Sequence, residues 1–335
     1  MMDKLNKSMM TEDTLKYHYK NDQNIPIGVL GMVDDTLTIS ECGVQSVSKN
    51  AVLNSFIENQ RLTLSEEKSC VIHIGNTRYC QEKCPTLRVH NNDMKVASSA
   101  RYLGDILTEK GGSYDTIQKR RHEGWGKVSE IMGLISEIPS GSFRIQIGLK
   151  LRETKLCNGL IFNSEAWSSL SERDIERLEQ VDLSLIRSLT GAHSKTVKEF
   201  LYLELKILKL RHILTIRRIM YHFHIITRDD SETIKKVYLK QKEASVKGDW
   251  IRLLAQDFEF IQEEQKDDEI VKLGKKEYFR HIKSKVENAA FLLYSNHIRN
   301  NRRKKQRTLF MKALNCKNIS VIQVLAKTIS NYYLF

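Results

Sequence analysis

The chain of 335 residues is predicted to fold as an α+β protein, a small β-rich region followed by a longer helical one. Three observations carry that expectation. Apolar and polar residues alternate in short runs up to about residue 107, the pattern of half-buried strands. After Gly111, Gly112 and Ser113 the apolar period lengthens to 3.6, and only three prolines occur in the whole chain to break helices. Charge changes at the same place: 13 Lys and Arg stand against 14 Asp and Glu in residues 1–112, leaving 41 against 27 in residues 113–335. Three regions follow, at 1–112, 113–262 and 270–335, the last a basic helical extension.

Within the first region, residues 1–20 are polar and form a helix or a loose lead-in. Residues 25–40 read as strand, tight turn, strand. A mostly apolar run from Ile25 to Val33 is followed by Asp34 and Asp35, and then by Leu37 and Ile39 alternating with Thr36, Thr38 and Ser40. Adjacent carboxylates repel, so they are best tolerated where solvent, a cation or a metal offsets the charge. The plain alternative is a solvated acidic turn. A helix is expected over 44–60. Short β-like runs then follow at Cys70–Ile74, Thr86–His90 and Tyr102–Leu107.

The helical region opens with a stripe through Ile117, Arg121, Trp125, Val128, Ile131, Met132 and Ile135, stopped near Pro139, Ser140 and Gly141. A second helix is predicted from Phe143 to about Phe162, with Ile147, Leu151, Thr154 and Leu156 inward. Ser171 with Asp174 three residues on resembles a capping box, and Ile175, Leu178, Val181, Leu185, Ile186 and Leu189 recur behind it until Gly191 stops the helix. Leu205–Ile226 is dense in apolar residues, with Lys206, Lys209, Arg211, Arg217 and Arg218 on its polar face. Later helices are expected at Ser231–Ser245, around Trp250–Ile261 and at Lys275–Ile298, the last with Tyr278, Phe279, Ile282, Val286, Ala290 and Leu293 on one side. An acidic break, Glu263–Glu269, precedes that final helix.

Three of these segments, in this order, resemble the reverse transcriptase of non-LTR retrotransposons. GMVDDTLTIS (31–40) is similar to the family's Asp-Asp hairpin. ENQRLTLSEEKSCVIHIG (58–75) resembles its lysine-bearing segment, with Lys68 at the matching position, and ARYLGDIL (100–107) its Tyr-Leu-Gly strand pair. The clear similarity spans roughly residues 15–110. It continues more loosely to about residue 260, through GLIFNSEAWSSLSERDIERLEQVDLSLIRSLTGA (159–192). The resemblance implies a partial polymerase palm, a small antiparallel sheet with a helix, followed by a mainly α-helical thumb or connector.

It further implies that Asp34 and Asp35 bind Mg2+, and that Lys68 lies near the nucleotide triphosphate, where it can protonate departing pyrophosphate. Tyr102, Leu103 and Gly104 would support the primer end, and the partners would be an RNA template and an RNA–DNA duplex. In that family the first metal-binding aspartate, a glycine-rich segment and the fingers precede the hairpin, and Met1–Lys20 cannot supply them. The expectation is therefore a truncated RNA-directed DNA polymerase, inactive alone but able to bind nucleic acid. The alternative is a basic helical nucleic-acid-binding or protein-interaction module without polymerase function.

Composition narrows the partners. A formal charge of +13 and a pI near 9.3 favour a polyanion. In the stretch 299–307, Arg299, Arg302, Arg303, Lys304, Lys305 and Arg307 form a basic run suited to nucleic-acid backbones, and also one that a nuclear import receptor would read. The six cysteines follow no disulfide framework, so no disulfide-linked partner is expected. No apolar run is long enough to cross a membrane, and the expectation is an intracellular protein. Cys70, His73, Cys80 and Cys84 lie close together, but their spacing matches no common zinc finger. None of the three prolines precedes an aspartate, so the Pro-Asp element of a retroelement endonuclease is missing.

Overall fold

The computed structural model describes Leu5, Met9, Tyr17, His18 and residues 26–32, 35–74, 86–89, 92–167, 170–244 and 250–300. The chain forms two compact units, Met1–Thr116 with Arg228–Val246, and Ile117–Thr227 with Lys247–Phe335. The fold is mostly helical with a few small sheets and belongs to the α+β class.

In the first unit the strands pair two by two. β1 (Tyr17–His18) pairs with β2 (Pro26–Ile27), and β3 (Val29–Met32) with β4 (Asp35–Thr38). β6 (Arg88–Val89) pairs with β7 (Asn92–Asp93), and β9 (Ser99–Tyr102) with β10 (Asp105–Thr108), all antiparallel. A short parallel pair joins β5 (Cys70–Val71) to β8 (Lys95–Val96). Helix α1 (Gly43–Asn59) lies against the β3–β4 hairpin, where Val52, Leu53 and Phe56 pack on Val29, Leu5 and Met9. The same helix grips β6, because the side-chain amides of Asn50 and Asn54, one turn apart, both donate to the Arg88 carbonyl at 2.8 and 3.0 Å.

The β-like run at Tyr102–Leu107 spans the turn of a tight hairpin, the strand pair that the resemblance implies for the Tyr-Leu-Gly segment. Tyr102 pairs with Asp105, and Leu103 and Gly104 form a two-residue turn with φ of +48° and +90°. Positive φ at both central residues marks a type I′ turn, whose twist matches that of the flanking strands. Helix α2 (Tyr114–Leu134) begins directly below, where the Thr116 hydroxyl accepts the Ile106 amide at 2.8 Å. Helix α7 (Thr233–Ala244) belongs to this unit too.

The second unit is a helical bundle. Its main core joins Ile117, Val128 and Ile131 of α2, and Ile135 just past its end, to Leu156, Leu160, Leu178, Val181, Leu185, Leu210 and Leu214. Those residues come from the segment 142–161, from α4 (Glu172–Thr190) and from α6 (Leu210–Ile226). A second cluster places Ala290 and Tyr294 of α10 (Lys275–Asn300) against Ile186, Leu201 and Tyr202, the last two from α5 (Lys198–Glu204). Helix α4 is capped as its sequence predicts. The Ser171 hydroxyl accepts the Asp174 amide at 3.2 Å, and Gly191 ends the helix with φ of +65°.

Several predicted faces are corrected. The buried line of α2 runs through Ile117, Arg120, Gly124, Val128, Ile131 and Ile135, while Trp125 is 40 % exposed. The reason is close approach: a Cβ at Gly124 would meet Leu160 Cδ2 at 2.6 Å, so no large side chain fits there. The helix predicted over Phe143–Phe162 is α3 (Ser142–Leu151), a π-helical turn at Arg152–Cys157 and a last α-helical turn at Asn158–Leu160. The extra residue per turn shifts the phase, so Arg152, Leu156 and Cys157 are buried and Thr154 is exposed.

The stretch expected as one helix from Leu205 begins at Leu210, because Lys206 adopts φ of +53° and breaks the chain direction after α5. A short helix, α9 (Asp267–Ile270), sits in the acidic break between α8 (Trp250–Phe260) and α10. In α10 the buried line is Tyr278, Ile282, Val286, Ala290, Tyr294 and Ile298, each four residues from the last. Phe279 and Leu293, predicted inward, face outward.

Candidate metal-binding hairpin and basic surfaces

Antiparallel pairing carries β3 and β4 to a shared end at Met32 and Asp35. Two residues, Val33 and Asp34, separate these partners in sequence. Asp35 therefore stands on a strand as its first residue rather than at the turn itself, and it is exposed. Asp34 lies outside the described residues. Exposure at a strand end suits a carboxylate that must meet a hydrated cation, and oxygen ligands of this type match Mg2+, which commonly takes one or two carboxylates and completes its shell with water and phosphate. Among the described residues no group of three His, Cys, Asp or Glu side chains is gathered for a metal ion.

Tyr102 belongs to the surroundings of that carboxylate. Burial, and after it the negative charge of Asp35, raises the Tyr102 phenol above its ordinary range. The hairpin and the Tyr-Leu-Gly turn, far apart in sequence, thus lie within electrostatic reach of one another inside the first unit. Leu103 and Gly104 form the turn that carries Tyr102, so the positive φ of Gly104 is a requirement of the hairpin itself. Lys68 takes a different position. It sits exposed in a turn after α1, and its ammonium has no partner among the described residues.

Lys49 was not singled out from the sequence. It is 1 % exposed, and its ammonium donates to the carbonyl of Ile39, directly after β4. Burial lowers its pKa to about 8, opposed by the nearby Glu41 carboxylate. The side chain fastens α1 to the outgoing strand of the hairpin. A lysine among polar residues in SVSKN carries no pattern that would mark it as buried.

The basic residues expected to line α6 are largely engaged inside the bundle. Lys209 binds Glu199 at 2.6 Å, and Arg211 binds Glu179 at 2.9 Å and also Glu172. Arg218 pairs with Asp257 at 2.5 Å. Arg217 donates to the Ile161 carbonyl and to Asn158. Deeper still, Arg152 makes a bidentate contact to Asp182 at 2.6 and 2.7 Å and donates to the Leu208 carbonyl, while the Tyr202 hydroxyl donates to Asp182 at 2.8 Å. These groups hold the bundle together rather than offering themselves to a polyanion. Lys206 alone of the five is exposed.

At the other end, Arg299 is exposed in the last turn of α10, whereas Arg302, Arg303, Lys304, Lys305 and Arg307 lie outside the described residues. Of the zinc candidates, Cys80 and Cys84 also lie outside them, and Cys70 is a free thiol whose pKa burial raises against the pull of Lys95. No helix among the described residues is long and apolar enough to cross a membrane. No family model, no curated protein and no solved structure matches the chain.

Proposed function

We propose that the chain is the distal palm and thumb-like part of a non-LTR retrotransposon reverse transcriptase, acting in this form as a nucleic-acid-binding protein. The observation that carries the reading is the pairing of Met32 with Asp35, with Tyr102 within electrostatic reach of that carboxylate. Both segments lie within one unit, which supports the reading. In this reading Asp34 and Asp35 hold Mg2+, which would neutralise nucleotide phosphates. Two-metal transfer clamps attacking and leaving oxygens between cations held by carboxylates from two segments, and the hairpin supplies one of these. The isolated chain is accordingly proposed to bind RNA–DNA duplexes without extending a primer. Lys68, exposed and without a partner among the described residues, would meet a triphosphate, and the C-terminal basic run would contact backbone phosphates.

The test combines three measurements. Magnesium binding by calorimetry is expected for the wild type and lost in Asp34→Asn/Asp35→Asn. Duplex affinity is expected to fall linearly with salt on logarithmic axes. Primer extension with magnesium is expected to be absent, and extension that disappears in Asp34→Ala would overturn the inactivity. A chain that binds neither duplex nor single strand at low salt would overturn the whole reading. The alternative, a basic helical interaction module, gains support from the sheets, which among the described residues form five separate pairs rather than one continuous platform. It predicts unchanged metal binding in the double asparagine variant.

A further inference from the structure

Helix α1 carries a lysine where its apolar stripe calls for an aliphatic side chain. Val52, Leu53, Phe56 and Ile57 recur at three- and four-residue steps, and Lys49 opens that line. The lysine is as closed to water as the aliphatic core, and its ammonium meets a neutral backbone carbonyl, that of Ile39, rather than a carboxylate. Taking an ammonium out of water is costly, and an apolar side chain of similar volume would fill the space without that cost. The charge at this position calls for an explanation beyond packing.

The hairpin supplies one. β4 has only four residues, and after the exposed Asp35 its Thr36, Leu37 and Thr38 are all half-buried. The in-and-out alternation that fixes a strand register is therefore missing. Contact of Val29 with Val52, Leu53 and Phe56 is apolar and non-directional, so it tolerates a slip. A hydrogen bond from a buried ammonium to one carbonyl does not. It holds the backbone at Ile39, four residues past Asp35 or about 13 Å along an extended strand. A slip of one residue would draw that carbonyl off the ammonium and take Asp35 from its place opposite Met32. The helix bearing the anchor is itself tied to β6, through Asn50 and Asn54 on the Arg88 carbonyl.

We propose that Lys49 locks the register of the β3–β4 hairpin and is thereby the positioning residue that presents Asp35 to its cation. The lock rests on the metal-binding reading above and adds a regulation to that site, because it holds best while the ammonium keeps its proton. Burial lowers the Lys49 pKa to about 8, opposed by Glu41 in the turn before α1, so mildly alkaline solution reduces the tie to a neutral donor. The other charged groups on the elements packed here are Asp35 at the far end of β4, Glu58 more than two turns along α1, and Arg88 on β6, which pairs with Asp93. β3 carries none.

Calorimetry with Mg2+ and hydrogen exchange at the amides of β3 and β4, both on the full chain, test the lock. Lys49→Met fills the space without charge, and Lys49→Gln keeps a neutral donor. Lys49→Met should weaken Mg2+ binding about tenfold at pH 7, near the lower end of what one hydrogen bond from a charged group contributes. Lys49→Gln should restore part of the loss. Wild-type affinity should fall about fivefold between pH 7 and 9, and Lys49→Met should be flat over that range. In Lys49→Met, exchange protection should drop at the hairpin amides and not elsewhere, with an unfolding midpoint no lower than that of the wild type. Mg2+ affinity unchanged by Lys49→Met would overturn the positioning role, and a flat wild-type profile would overturn the regulation. Loss of affinity together with a lower midpoint and general loss of protection would also overturn the lock, making Lys49 a packing residue. A wild type that binds no Mg2+ at any of these pH values would overturn the metal reading instead. Exchange then decides the lock alone, and hairpin protection unchanged by Lys49→Met would overturn it.

Discussion

Replacing Asp182 with alanine should be the most damaging single change in the helical bundle. The carboxylate is fully buried and accepts three hydrogen bonds, two from Arg152 and one from the Tyr202 hydroxyl. Its loss leaves the 4 % exposed Arg152 with only the Leu208 carbonyl as partner, and strands the phenol of Tyr202. Breaking a buried pair from one side costs roughly 3–5 kcal/mol, chiefly the penalty of an uncompensated charge. In a unit of about 200 residues each kcal/mol lowers the melting temperature by about 2–4 °C, so thermal unfolding should shift by ~6–20 °C. Differential scanning calorimetry on the full chain measures this directly. The double replacement Arg152→Met/Asp182→Leu removes both charges and should recover at least half of the shift, because apolar pairs of similar volume often replace buried ion pairs at little cost. A shift below about 2 °C for Asp182→Ala, or a double variant less stable than the single one, would refute the assignment of this pair as the bundle's electrostatic centre.

Other outcomes follow from the same bundle and from the hairpins. His212 stacks on Phe260, and burial, followed by Arg211 and Lys209, lowers its pKa to about 3. The unfolded chain therefore binds a proton that the folded one refuses between roughly pH 6.5 and 3, and stability should fall as pH drops through that window, by about 2 kcal/mol between pH 7 and 5. His212→Phe should flatten that part of the curve in denaturant titrations at several pH values. At Leu103, with φ of +48°, substitution by asparagine should stabilise the first unit by about 1 kcal/mol, measured by urea unfolding, because a branched side chain sits there under strain. Gly148→Ala should destabilise the bundle by about 1–2 kcal/mol despite the better helix propensity of alanine, since the new Cβ would lie 2.2 Å from Leu189 Cδ2. Unfolding midpoints in guanidinium would check the sign.

Local signals were the readable ones. The hairpin around Asp35, the serine cap and glycine stop of α4 and the change to helical periodicity after Gly112 depend on neighbours in sequence, and each appears where the pattern places it. What escaped depends on partners far along the chain. Trp125 reads as core by spacing, and only the approach of Leu160 to Gly124 turns it outward. The five cations of the Leu205–Ile226 stretch read as a polar face, yet the acids that claim three of them, Lys209, Arg211 and Arg218, lie on α5, α4 and α8 as Glu199, Glu179 and Asp257. Within the β3–β4 hairpin, the position of Asp35 on β4 opposite Met32, and not in the turn, is a matter of register, which composition does not encode. Lys49 and the Asp35–Tyr102 proximity had no local mark at all.

The strict four-residue interval along α10 carries a geometric result. Four residues turn an α-helix by about 400°, so each successive inward side chain is displaced by about 40° around the axis, and the five steps from Tyr278 to Ile298 sum to about 200°. The seam by which this helix adheres to its neighbours is a slow spiral: Tyr278 stacks on Phe223 near the start, and Ile298 meets Phe200 near the end. Its free side must wind by the same angle. At 100° per residue, Lys275, Lys276 and Arg280 in the opening turns stand about 100–140° around the axis from Arg299 at the close, so the exposed positive charge of this helix is spread around the rod instead of forming one stripe.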